Sequence, residues 1–203
     1  IKHSATADDK PVILTLQTGE TDIAADDVLG ALRFQAPDEG TGTDAITVAA
    51  AIEAVSEGDF SSSNNATKLS FKTGASEAAT EKMSLSSAGV LTVTGTALAT
   101  TDTDTSNTGN VTLDFAANQN FVLTLTGNTT LVNPTTEQVG QSGFIAFIQD
   151  GTGSRTVSLG TDYETAGSAG LSLTSTASAT DLVPYLVVAA GRILLGTPQL
   201  AFG

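Results

Sequence analysis

Three observations predict an all-β chain: hydrophobicity alternates with a period of two along most of its length, turn-forming residues recur at short intervals, and almost no stretch keeps a helical period over several turns. The pattern changes at a threonine-rich stretch, residues 96–110. Residues 1–95 read as a β-hairpin region and residues 111–203 as a β-sandwich or jelly-roll domain, with the stretch between them as a linker.

In the first region "VILTLQT" (12–18), "VLGALRFQA" (28–36), "AITVAAAIEAV" (45–55) and "TKLSFKT" (67–73) read as strands. In the third, Ile46, Val48, Ala50, Ile52 and Ala54 share one face, with Thr47 and Glu53 on the other. An alanine-rich helix competes there, but the β-branched residues and the Gly, Asp, Ser and Asn flanks favour a strand. Residues 36–44 and 56–66 are dense in turn formers and read as loops. "EKMSLSSAGVLTVTG" (81–95) adds two short strands about a Ser/Gly turn.

The second region is richer in large apolar residues. "VTLDF" places Val111, Leu113 and Phe115 on one side, and "FVLTLTG" does the same with Phe121, Leu123 and Leu125. Further strands are expected at Leu131, 143–149, 155–159, 171–174, 182–189 and 192–195. "GFIAFIQ" (143–149) is apolar on both alternating faces, as in a strand buried on both sides.

"DGTGSR" follows that strand. A phosphate-binding loop needs GxxxxGK[ST] or GxGxxG leading into a helix, whose N-terminus holds the anion. Here "RTVSLG" leads into another strand, so the glycines read as turn chemistry and Asp-Gly as a hairpin signal. Arg155 is expected at the hairpin end, or in a salt bridge.

With 22 acidic and 8 basic residues the net charge is −14, and the pI is about 4.1. Such a chain repels phosphate backbones and anionic lipid, so no nucleic-acid partner and no membrane insertion are expected. The most apolar run, residues 182–196, is too short for a bilayer and is interrupted by Pro184 and Arg192. The opening residues show neither an initiating Met nor a basic segment before an apolar one, which reads as a processed product or part of a longer polypeptide.

Aromatics make up only 5% of the chain, and Trp is absent. Small side chains bury little area against a backbone ordering cost of about 1–2 kcal/mol per residue, so association of several chains is expected to supply what one chain lacks.

Candidate chemistry is sparse. With no cysteine, thiolate zinc sites and thiol nucleophiles are excluded, and His3, near the start, has no evident partner for Ser-His-Asp catalysis or metal binding. Asp162 and Glu164 bracket Tyr163 in "TDYETAG", a carboxylate pair of the kind glycan hydrolysis needs, but no Trp is present to stack a sugar, and a solvated loop is favoured. "DTDTSN" (102–107) opens like a calcium loop, yet Asn107 and Leu113 stand where an EF-hand needs Gly and Glu. The acidic "DDVLG" (26–30) and "PDEG" (37–40) read as solvated charge beside strands. No catalytic, cofactor-binding or metal-binding residue is assigned, and receptor-binding residues are left open.

"DDVLGALRFQAPDEGT", "AAAIEAVSEGDF" and "ATKLSFKTGASEAATEKMSL" resemble, in order, the hairpin modules of tail fibres and other appendages of tailed bacteriophages, over residues 13–94. One departure is "SSAGVLTVTG", where those modules end in a glycine-rich "GNVGIGT". From Asn110 onward, "VTLDF", "LTGNTTL", "QDGTGSRTV" and "DLVPYLVVAAGRILLG" resemble a C-terminal β-domain found at the ends of phage structural proteins.

The resemblance implies a non-enzymatic, cofactor-free virion protein. It implies a homotrimer with a β-prism-like shaft and a terminal knob, the distal part of a tail fibre that projects from the particle and contacts a host-surface glycan or protein. Other virion structural proteins would be its further partners. A head or collar fibre, a capsid decoration protein and, more remotely, a polysaccharide depolymerase are the alternatives.

Overall fold

The computed structural model describes residue 8, residues 11–37 and residues 44–203. The chain divides into two compact units, Ile1–Ala97 and Leu98–Gly203. His3 and most of "PDEG" lie outside the described residues. The all-β expectation holds in both units.

The first unit is a five-stranded antiparallel sheet whose strands follow chain order: β1 (Val28–Phe34), β2 (Ala50–Ser56), β3 (Thr67–Thr73), β4 (Thr80–Leu85) and β5 (Leu91–Val93). Alternation, interrupted by register shifts at Val28/Gly30 and Phe71/Lys72, separates its faces. On one, register lines up Leu32, Ile52, Phe71, Met83 and Val93 in a row across all five strands. Beside it runs a second row, Gly30, Ala54, Leu69, Leu85 and Leu91. Gly30 is required by close approach: a Cβ there would stand 3.0 Å from Cβ of Leu16, which lies over it.

The opposite face is a charge ladder. Glu53 is buried between Arg33 at 3.4 Å and Lys72 at 2.5 Å, and Lys68 pairs with Glu81 at 3.1 Å. Long side chains lean over small ones, and this hides Ala51, Ser70 and Ser84. Ser56, at the end of β2, receives the backbone N–H of Asp27 on its hydroxyl at 3.0 Å and fixes the entry to β1.

In the second unit all eight strands join one sheet: β6 (Thr101–Val111), β7 (Asn120–Leu131), β8 (Ser142–Gln149), β9 (Val157–Leu159), β10 (Tyr163–Thr165), β11 (Thr180–Ala189), β12 (Arg192–Leu195) and β13 (Gln199–Phe202). The main order is β10-β12-β11-β8-β7-β6, with β13 beside β11 and β9 beside β7. Four of its pairings are parallel: β6–β7, β7–β8, β7–β9 and β10–β12. The sheet is therefore mixed, with parallel and antiparallel pairings together.

One face of this sheet carries the core. Phe121, Leu123 and Leu125 of β7, Ile145 and Phe147 of β8, Val183, Tyr185 and Val187 of β11, and Ile193 of β12 are buried there. The segment joining β6 to β7 adds Leu113 and Phe115 to the core, where Phe115 meets Phe121 and Tyr185 edge-on at 5.0 and 5.3 Å. That segment is tied down by Gln141, whose Nε2 donates to the carbonyls of Phe115 and Asn118, and by the Tyr185 hydroxyl, which donates to the Gln119 carbonyl at 2.6 Å.

Several expectations are corrected. The threonine-rich stretch is no linker from Thr101 onward, because it pairs with β7 as the long edge strand β6. Its small polar side chains need no core, since the backbone ladder and the buried Asn107 amide, donating to the carbonyls of Asp104 and Thr124, hold it. Polar residues also protect an edge from unwanted pairing. Residues 12–18 are not a strand; they are mostly exposed and pair with no strand among the described residues. Residues 45–49 precede β2 as a 3-10 turn and coil, and 171–174 pack Leu171 and Leu173 on the core without joining the sheet. The sequence reading missed β10 and β13.

Candidate functional surfaces

The glycine-rich stretch after β8 is neither a phosphate cradle nor a hairpin. Both β8 and β9 run parallel to β7 and follow one another along the same edge of it: Phe121–Leu125 pairs with 145–149, and 129–131 with 157–159. Residues 150–156 are therefore an excursion between two collinear strands, opposite only residues 126–128 of β7.

Side chains close this excursion. The buried Gln149 amide donates to the Arg155 carbonyl at 2.9 Å and accepts the Arg155 N–H at 2.8 Å. Asp150 Oδ1 accepts the N–H groups of Thr152 and Gly153, while its Oδ2 accepts Nε and Nη2 of Arg155. The Arg155 hydrogen bonds, with those N–H groups, hold the Asp150 carboxyl below its ordinary value. The salt-bridge alternative for Arg155 holds. Its guanidinium is engaged by a carboxylate, so no phosphate clamp forms.

Asp162 and Glu164 stand two residues apart at the start of β10, an edge strand, with Tyr163 buried between them. Glu164 is engaged by Arg192 of β12 through Nε at 2.8 Å and Nη2 at 3.1 Å, and these hydrogen bonds lower its pKa. Asp162 accepts a weak 3.5 Å bond from the Thr161 hydroxyl, and its carbonyl accepts the Ile193 N–H. Burial first, then the nearby Asp162 and Glu137 charges, pushes the Tyr163 phenol far up, so it stays neutral. A proton donor for glycan cleavage needs a raised carboxyl pKa. Glu164 is shifted the other way.

The acidic run 102–107 lies within β6, where Asp104 Oδ1 accepts the Ser106 N–H. Among the described residues no group of three or more His, Asp or Glu side chains is placed to hold a metal ion. No helix there is long and apolar enough to cross a membrane.

Asp181 was not singled out by sequence. It is buried on β11 and accepts the Thr174 N–H, the Thr174 hydroxyl at 2.8 Å and the Ala201 N–H at 2.8 Å. These bonds pin the 171–174 segment and β13 to the sheet. An acidic residue inside an apolar strand, "TDLVPYLVV", is the signal that could have found it.

The most extensive uncommitted feature of this unit is the second face of its sheet. Val122, Ala146 and Leu182 form one row across β7, β8 and β11, flanked by Ile148 and by the Phe144–Pro184 pair. Phe144, Leu186 and Leu194 are exposed on it. "GFIAFIQ" is thus apolar on both faces, and its buried residues lie on the Ile145 and Phe147 side, not on both sides as expected of it.

Residues 99–192, nearly all of this unit, match the family model of a putative phage tail fibre C-terminal domain. No curated protein and no solved structure matches the chain.

Proposed function

We propose that the chain is the distal part of a trimeric tail fibre of a tailed phage, a non-enzymatic virion protein that projects from the particle and contacts the host surface. The observation that carries this reading is the family match over residues 99–192. The geometry is in keeping with it: each unit is a sheet with one apolar face left open, as expected of a part completed by copies of itself, and Glu164, weighed for catalysis, is held by Arg192.

On this reading the first unit contributes to a β-prism-like shaft and the second to a terminal knob. Function is multivalent. Three equivalent sites on one rigid tip raise avidity over single-site affinity by about 10² to 10⁴ where the receptor geometry allows simultaneous engagement.

Labelling of intact virions with antibody against residues 98–203, viewed by electron microscopy, tests the placement. Gold at the distal ends of tail appendages is expected. Gold on the capsid or collar would contradict the reading in favour of a head or collar fibre or a decoration protein. Release of reducing ends from host polysaccharide by the purified chain, lost in Asp162→Asn or Glu164→Gln, would make it a depolymerase instead.

A further inference from the structure

We infer that the apolar face of the first unit's sheet is the surface on which copies of this chain pack together; the inference rests on the reading above that copies associate, and it names the face they use. Two apolar rows cross the five strands, a span of about 20 Å at ordinary strand spacing, and Leu16 of the same chain lies over the second at Gly30. Leu32, Ile52, Leu69, Leu85, Leu91 and Val93 remain 37–62% exposed on them, and Phe34, beside the first row on the same face, is 57% exposed.

Among the described residues, the buried hydrophobics of this unit are Ala51 and Val55, and both belong to the charge-ladder face. The sheet therefore has its apolar side chains on the side with no core. Covering such a face takes its apolar side chains out of water, worth about 25 cal/mol per Å².

Charge selects the occupant. Neither apolar row contains an ionisable side chain, whereas Arg33, Glu53, Lys68, Lys72 and Glu81 all stand on the other face, paired with one another. A covering surface must match an uncharged, five-strand-wide patch. A second copy brings just such a patch and keeps its own charges turned to solvent, which lets chains of net charge −14 meet without bringing carboxylates together.

The area agrees. The exposed parts of these side chains amount to roughly 500 Å² per copy, before the partly buried Phe71 and Met83 are added, against about 800 Å² per partner in a standard specific interface. With them the face offers well over half of that area.

The chain has no cysteine, so single substitutions report single sites. Leu85→Cys lies on an apolar row and Thr92→Cys on the opposite face of the adjacent strand. Full-length variants, checked for β circular dichroism, are sized by sedimentation equilibrium and alkylated with a maleimide under native conditions. Multi-copy mass with Leu85→Cys reacting at least tenfold more slowly than Thr92→Cys is expected. Equal rates in a multi-copy species would overturn the face and leave the trimer reading standing. A dimer with Leu85→Cys protected would support the face and remove the trimer, and a monomer would remove both.

Discussion

Arg155 closes on Asp150 through two hydrogen bonds to one carboxylate oxygen, Nε at 3.1 Å and Nη2 at 2.8 Å, across a loop that joins two collinear strands. The pair therefore fastens an excursion. Arg155→Ala is expected to lower the melting temperature slightly. Because Asp150 titrates below its ordinary value of 3.8, the contribution is present above that pH and lost as pH falls through the lowered value. Melting curves of the two proteins should differ at neutral pH and converge in acid.

Gly153 makes the same loop possible. Its φ of +75° suits glycine, and a Cβ there would stand 2.5 Å from the Ser175 carbonyl oxygen and 2.8 Å from the Ala177 nitrogen, both backbone atoms. Gly153→Ala should cost about 2–3 kcal/mol, combining left-handed strain with displacement of the 175–177 segment. Gly151 meets nothing within 4 Å, so Gly151→Ala should change urea stability far less.

Tyr185 joins packing to polar closure. Its ring meets Phe115 edge-on and its hydroxyl holds the Gln119 carbonyl, so Tyr185→Phe should cost about 1–2 kcal/mol by leaving that carbonyl without its donor. Burial pushes the phenol up to about 12 from 10.0. A raised pKa means that its contribution is complete below pH 10 and is lost as pH rises through about 12. Alkaline denaturation should therefore be shallower in Tyr185→Phe than in the native protein, with the remaining slope owed in part to the buried Tyr163.

On the charge ladder, Lys72→Met strands the buried Glu53 with Arg33 alone, at 3.4 Å. A loss of about 3 kcal/mol is expected, at the low end for breaking a buried pair because one cation stays. Replacing Glu53 by Gln in the Lys72→Met background should recover part of it in urea melts. No recovery would show that the ladder's charges are not what holds this face.

The strands that alternate cleanly were legible from sequence, β3 to the residue, because the period of two and the turn formers at its ends agree. What misled was partner-dependent. Residues 12–18 alternate as well as β3 does but pair with no strand among the described residues, while β6, made mostly of Thr, Asp, Ser and Asn, looked like a linker and is held by β7. Asp-Gly signalled a hairpin, yet parallel pairing of both flanking strands to β7 turned it into an excursion. The burial of β8 expected on both sides is found on the Ile145 and Phe147 side, while Phe144 on the other face is exposed.

Self-association through uncharged sheet faces is the central claim, and native mass tests it most directly. Sedimentation equilibrium of the full chain should give three copies of 20.4 kDa, about 61 kDa, in a species that resists SDS until boiled. A folded, stable particle of 20.4 kDa that persists at micromolar concentration would contradict it.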